Sequence, residues 1–432
     1  MSNTLKTLAQ RDASGRQRGI YSVCSAHPLV IEAALMQARD DGTELLVEAT
    51  CNQVNQFGGY TGMQPTDFVQ FVQGIAMRLD FAQDRLIFGG DHLGPNPWRD
   101  KPASEAMDLA QDLLRAYAAA GFKKLHLDAS MRCADDPAVL TDEVIAARAA
   151  SLCAAAEAVA PGGAVYVIGT EVPVPGGAAE ELTHIQVTSA QAAQHTIQIH
   201  AQAFAALRLQ DAWERVIALV VQPGVEFDHT HVIDYQPAQA QGLSRFQKAQ
   251  SKLVFEAHST DYQRGDLLAQ LVSDGFAILK VGPGLTFSLR EGLYALELME
   301  RELVAAPQCS NIRAVVDAEM LRHPRDWQSY YAGDALQQAI LRVFSYSDRI
   351  RYYWGLDAIA AATQQLLDNL ARIPIPENLV SQYMPNQYAK YRDGTLQLQA
   401  RDLLLDKIRD AVQPYAAACA HGAGPLLPSA AN

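Results

Sequence analysis

The sequence predicts an α/β fold, a closed (β/α)8 TIM barrel with a C-terminal helical extension. Three observations carry that expectation. Short apolar runs that end in polar residues recur through the first two-thirds of the chain, at 19–24, 45–49, 86–89, 124–128, 165–169, 216–221, 253–257 and 278–281. Alanine-rich helical stretches such as 106–120, 143–159 and 190–207 lie between them, the alternation of parallel βα units. Beyond about residue 290 the strand signal stops, and 292–304, 334–343, 358–370 and 398–412 carry helical periodicity instead.

Each run is too continuously apolar to be a strand with one wet face, which is the pattern of a parallel strand covered on both sides. Eight such units close into a barrel of about 250 residues or more. An open doubly wound sheet is the competing architecture, but no GxGxxG follows the first run. Residues 1–290 are therefore expected to form the barrel that carries the site. Residues 291–420 should form a helical region packed on it, and 421–432, Gly-, Pro- and Ala-rich without periodicity, a disordered tail.

Composition narrows the function. With 432 residues, 49% hydrophobic, the chain can bury a large core. Its 35 basic against 48 acidic residues give a formal charge of -13, which argues against nucleic acid and anionic lipid as partners. An anionic substrate would need basic or backbone donors placed locally. The six cysteines show no CxxC spacing and read as structural thiols in a reducing compartment. No apolar stretch reaches the roughly 20 residues of a membrane span, and the polar N-terminus has no apolar signal region. The expected location is the cytoplasm.

The chemistry-bearing residues gather at strand ends, which in such barrels face the active-site mouth. Asp91-His92 in GGDHLGP follows the apolar residues 86–88, and His258 ends the run 253–257. Two imidazoles converging from distant strands suit a divalent metal. Asp128 closes HLDAS, Glu171 closes VIGTE, Glu226, Asp228 and His229 follow ALVVQPG, and Ser259 and Asp261 follow His258. Singly, a strand-end carboxylate more often caps the next helix. Capping does not account for five such ends together.

Two loops add binding chemistry. EATCNQVNQFGGYTGM (48–63) offers the amides Asn52, Gln53, Asn55 and Gln56, groups that bind sugar hydroxyls or else satisfy their own loop. VGPG (281–284), with Lys280 before it, Gly282 within it, Thr286 and Ser288 after it and Ser259 on the preceding loop, is the candidate phosphate cradle. The aromatic-basic run SYSDRIRYYWG (345–355) reads as packing or a subunit contact ahead of a substrate lid.

SVCSAHPLVIEAAL (22–35), EATCNQVNQFGGYTGM, GGDHLGP, HLDAS, IGTEVPVPGG, VVQPGVEFDH, FEAHSTDYQ, AILKVGP and SDRIRYYW resemble, in order and over nearly the whole chain, the GatZ/KbaZ family associated with tagatose-1,6-bisphosphate aldolase. That family is distantly similar to class II, metal-dependent ketose-bisphosphate aldolases. The resemblance implies that Asp91 is the proton-transfer carboxylate, and that His92 and His258 are zinc ligands. The aldolases' other zinc histidine, in a GTAHG-like turn, is replaced here by QPGVEFDH (222–229), where Glu226 and His229 both stand as candidates. Their KVN motif is KVG here, with Gly282 in place of the asparagine that touches the phosphate-bearing substrate end. A kinase label once given to the family finds no support, since no GxxxxGK[ST] loop is present.

Two functions follow. One is a metal-dependent enzyme of tagatose or fructose metabolism that cleaves or remakes the C3-C4 bond of a ketohexose or its phosphate, including use as a ketohexose 4-epimerase. In it, zinc, manganese, cobalt or nickel would sit on His92, His258 and Glu226, with Asp91 and Glu171 catalytic. Asn52, Gln53, Asn55, Gln56, Asp128, Ser259, Asp261, Lys280 and Gly282 would bind substrate. The other is a non-catalytic companion subunit that stabilises a Y-type class II tagatose-bisphosphate aldolase. An oligomer is expected in either case.

Overall fold

The computed structural model describes residues 3–11, 15–169, 185–250 and 252–421. Its strands are β1 Ile20–Val23, β2 Leu45–Thr50, β3 Leu86–Leu93, β4 Lys124–Leu127, β5 Val165–Ile168, β6 Val216–Val220, β7 Glu226–Phe227, β8 Val232–Ile233, β9 Val254–Ala257 and β10 Ile278–Val281. Eight of them form a closed parallel barrel in the order β1-β2-β3-β4-β5-β6-β9-β10, and β10 pairs back onto β1 with Ile20 level with Ile278 and Val23 with Val281. Every apolar run of the sequence became one of these eight. The short antiparallel hairpin β7-β8, outside the barrel, was not anticipated, because two-residue strands carry no periodicity.

Helices surround the barrel. Ala103–Ala119 and Asp142–Val159 pack together through buried Ala106, Ala110, Ala146, Ala149 and Ala150, and small side chains allow that close approach. The second starts at Thr141, whose hydroxyl accepts from the Val144 amide at 3.4 Å, with Asp142 and Glu143 in its first turn, where the helix dipole favours acids.

The helical region is tied to the barrel rather than appended to it. Helix Pro283–Leu303 begins directly after β10 and runs through residue 290. The last helix, Ala400–His421, returns to pack on Pro28–Asp40, Gly265–Ser273 and Pro283–Leu303. Arg401 grips Glu32 through two 2.6 Å bonds, and the Tyr415 hydroxyl donates to the Thr260 carbonyl at 2.6 Å.

Inside the barrel the side chains form layers. Leu46, Ile87, Val165, Val167, Ile217, Val254 and Ile278 fill the lower part, closed from below by Leu5 and Leu8 of the N-terminal segment. Because alternate residues of a strand face the same side, Glu48, Lys124, Glu256 and Lys280 form the next layer. All four are buried. Lys124 Nζ lies 2.7 Å from both Glu48 Oε1 and Glu256 Oε2, and Lys280 pairs with Glu48 and reaches Asp91 Oδ1 at 3.0 Å. Gly89 stands level with Glu48 and Lys124, and a Cβ there would come within 2.5 Å of Glu48 Oε1.

Buried charges hold only while paired, and removing one partner costs about 3–5 kcal/mol. Lys124→Met should therefore lower the unfolding free energy by about that amount in urea titration. A loss below about 1 kcal/mol would mean that the network contributes little.

Candidate active site

The third layer holds the candidate site residues. One pleat above Lys124 on β4 comes His126, and one above Glu256 on β9 comes His258. From β3 come Asp91 and His92, where the pairing with β4 shifts register between Gly90 and Leu93 and His92 takes a left-handed φ of 48°. Such a backbone costs free energy in a non-glycine residue and concentrates at functional sites. Ser259, beside His258, is held the same way at φ 51°. Gly94 is required because a Cβ there would strike the Asp128 carbonyl.

The three imidazoles face one another. Ring centroids are 4.9 Å apart for His92 and His258, 5.2 Å for His92 and His126, and 5.3 Å for His126 and His258. The His92 and His126 rings are steered from behind, while His258 faces another member of the cluster. His92 Nδ1 is 2.8 Å from Asp128 Oδ2, and the other Asp128 oxygen accepts from the Ser130 amide and hydroxyl at 3.2 and 2.7 Å. His126 Nε2 donates to the Gly169 carbonyl at 3.0 Å, which turns Nδ1 toward Asp91 Oδ1 at 3.0 Å. His258 Nε2 lies 2.9 Å from Glu256 Oε1. Outer partners such as Asp128 and the Gly169 carbonyl fix ring orientation at metal sites.

The electrostatics are mixed: burial lowers His126, but its bond to Asp91 and the surrounding carboxylates outweigh that and raise it above the ordinary imidazole value. Burial opposes ionisation of Asp91, but His92, His126 and His258 outweigh it and hold the carboxyl far below the usual range. Burial likewise pushes Asp128 up, but His92, with His126 and Ser130, outweighs it and holds the carboxyl well below the usual range. Burial lowers His258 below the ordinary imidazole value, so the ring is neutral, as a ligand must be. Burial also brings Lys280 down to about 8.

Among the described residues, one donor atom each from Asp91, His126, Glu256 and His258 lie within 4.8 Å of one another, and a second group joins Cys24, Glu48 and Asp91. The first set, two imidazoles and two carboxylates, suits a divalent transition metal. His92 closes over it, with Nε2 3.6 Å from Asp91 Oδ2.

The remaining expectations divide. Asn52, Gln53, Ser259, Asp261, Lys280 and Gly282 line one cavity with Asp91, His92 and His258. Asn55 and Gln56 do not join it. The Asn55 amide donates to the Cys51 carbonyl while its oxygen accepts from the Phe57 and Gly59 amides, and Gln56 donates to the Leu109 carbonyl. Asp128 holds His92, one step back from the cavity. Glu226, on β7, lies outside the group that includes the histidines, and burial raises it to about 7. His229 meets Ser345 and Ser347 at 3.2 Å each. Glu171 lies outside the described residues.

The phosphate cradle is also altered. Asp261 Oδ1 accepts from the Gly282 and Gly284 amides at 2.9 and 2.8 Å, so a side-chain carboxylate already occupies the helix N-terminus. Thr286 is bound to Asp348 and Ser288 to the Lys407 carbonyl. The sequence reading missed His126, Glu48, Lys124 and Glu256. The period-two alternation in KLHLD and FEAH was the available signal.

A family profile described as D-tagatose-1,6-bisphosphate aldolase subunit GatZ/KbaZ-like matches residues 5–420. The structure is similar to a crystal structure of a probable tagatose 6 phosphate kinase from Sinorhizobium meliloti 1021, with a TM-score of 0.87 at 49% identity over 93% of this chain and 100% of that one. It shares its fold with the fructuronate-tagaturonate epimerase UxaE from Cohnella laeviribosi, with a TM-score of 0.52 at 10% identity over 96% of this chain and 84% of that one. No helix among the described residues is long and apolar enough to cross a membrane.

Glu226 generates a test. Its raised value means the folded state holds a proton that the unfolded chain releases above about 4.5, so its contribution is full below that pH and is lost as pH rises through about 7. Glu226→Gln should therefore gain melting temperature over wild type at pH 8 and lose that gain by pH 5. A variant less stable than wild type at pH 8 would show that the carboxylate is held ionised by a partner.

Proposed function

We propose that this chain, which belongs to the GatZ/KbaZ-like family, is a metal-dependent ketose enzyme that breaks and remakes a C3-C4 bond, and so can invert C4 of a ketohexose or ketohexose derivative. The observation that carries this reading is an ionised Asp91 beside three converging imidazoles at the mouth of a parallel barrel. A metal gains from the imidazoles alone. A carboxylate in contact with them, and with Lys280, is what a site needs when a hydroxyl proton must also move.

The residues present fit a divalent ion, zinc by preference and manganese, cobalt or nickel by the same donors. His126, His258 and Glu256 would hold it, with His92 in reach and Asp91 beside it. Bound there, it would act as a Lewis acid on the ketose carbonyl. Asp91 takes the C4 hydroxyl proton as the C3-C4 electron pair moves toward that carbonyl. It returns the proton when the bond re-forms. Lys280, 3.0 Å from Asp91, keeps the carboxylate charged between turnovers. Asp128 holds His92 in place, and Asn52 and Gln53, on the cavity wall, take sugar hydroxyls. Glu171 is assigned to orienting the substrate diol. Rotation of the aldehyde fragment before re-addition gives the C4 epimer, and its release gives aldol cleavage.

A second reading is favoured by Asp261. Its carboxylate occupies both amides of the loop where a bisphosphate's end would rest, which suits a companion subunit that leaves bisphosphate cleavage to a Y-type aldolase.

Losing a positioned general base removes about 10²- to 10⁴-fold of rate. Asp91→Asn should therefore cut partner-free interconversion of tagatose- and fructose-type ketoses by that factor, followed by NMR of the sugar C4 signals. Equal background in wild type and Asp91→Asn, for both epimerisation and cleavage, would leave the companion reading standing.

A further inference from the structure

The inner cavity, of about 90 Å³, adjoins a larger chamber of about 580 Å³. They share Cys24, Gln53, Tyr60, Gly282, Arg351 and Tyr352. Arg351 and Tyr352 of that shared wall line the inner cavity together with His92 and His258.

The cations lining these spaces are mostly engaged. Lys280 is paired with Glu48 and Asp91, and Arg401 is bound twice by Glu32. Burial pushes His27 down to about 4, which leaves it neutral. Arg351 differs. Its Nη1 donates to the Ser347 and Asp348 carbonyls and its Nη2 to the Tyr352 hydroxyl at 3.1 Å, all neutral acceptors. The nearby Asp348 carboxylate is taken by Thr286 at 2.6 Å and by Arg290 at 3.5 Å. Among the described residues, no carboxylate forms an ion pair with Arg351.

The guanidinium is also held in place. It lies 4.6 Å from the Tyr352 ring centroid, and that ring meets Tyr60 edge-on at 4.8 Å. Arginine carries five N–H donors in a planar fork that matches carboxylate and phosphate oxygens. Three bonds to neutral oxygens orient this fork at a cavity wall, where Asp348 and Asp261 feel its charge without pairing directly with it. The other anion site of such barrels, the glycine loop with a helix N-terminus, is closed here by Asp261.

We propose that Arg351 is the residue that binds the terminal anionic group, phosphate or carboxylate, of a ketose whose carbonyl end lies on the histidine cluster. This rests on the function proposed above for where the carbonyl lies, but not on turnover. It also explains how a chain of charge -13 accepts an anion, by one half-buried fork rather than a basic surface.

The test is calorimetric titration of the metal-loaded full chain with D-tagatose, D-tagatose 6-phosphate, D-tagaturonate and inorganic phosphate. A charge-assisted bidentate contact corresponds to about 10- to 100-fold in affinity. One of the two anionic ketoses should bind tighter than D-tagatose by about that factor, and which one it is tells phosphate from carboxylate. Arg351→Met should bring the ratio close to one, and Arg351→Lys should keep part of it. Equal affinity of wild type for all three ketoses overturns the proposal, whether or not either variant folds. So does a preference that survives in folded Arg351→Met. Failure of turnover with the preference intact counts against the enzymatic reading alone.

Discussion

Two lysines and two glutamates buried in the middle of the barrel are the constraint on which the site depends. Glu48, Lys124, Glu256 and Lys280 come from β2, β4, β9 and β10, and none can leave without stranding a charge in a low-dielectric interior. Their pairing sets the relative height of four strands. A slip of one residue would turn every interior side chain outward. The histidine layer inherits its position from this lock, since His126 and His258 each stand two residues beyond a member of it. Lys280 also reaches upward to Asp91 at 3.0 Å, so the network is part of the site's electrostatics as well as its scaffold.

Above that layer the backbone is bent to aim side chains. The register shift after Gly90 and the left-handed φ of His92 place Asp91 and His92 on the same opening, which a regular strand would not do, because neighbours alternate faces. The cost is offset by contacts around it, including the Asp128 clamp on His92 and the His92 amide at 3.2 Å from His126 Nδ1. The C-terminal helical region completes the mouth. It supplies Arg351 and Tyr352 to the cavity, while Ile350, Tyr353 and Trp354 beside them are buried in the core. The aromatic-basic run therefore packs and lines the cavity at once, through adjacent residues that point different ways.

Much of this was legible in the sequence. The eight barrel strands were readable because fully buried parallel strands are apolar runs bounded by polar residues, and Asp91, His92 and His258 were visible because they terminate such runs. The family followed from long strings such as GGDHLGP and FEAHSTDYQ. What stayed hidden sits inside strands. Glu48, Lys124, His126 and Glu256 interrupt apolar segments and look like ordinary alternation until closure brings them together. Loop side chains were equally opaque, since Asn52 and Asn55 are identical in type, yet one lines the cavity and the other ties its own turn. Asp261 shows the same limit, because no local pattern reveals that its carboxylate reaches the amides of Gly282 and Gly284 from another loop.

The central claim is that the imidazole cluster, and not the neighbouring Cys24, Glu48 and Asp91 group, holds the metal beside Asp91. X-ray absorption at the zinc edge on protein loaded with one equivalent of zinc tests this most directly, because Zn–N and Zn–O distances of about 2.0–2.2 Å separate cleanly from Zn–S at about 2.3 Å. The account predicts a first shell of nitrogen and oxygen alone, with the outer-shell scattering of at least two imidazoles. A sulfur in the first shell, or zinc that washes out of the folded protein, would contradict it.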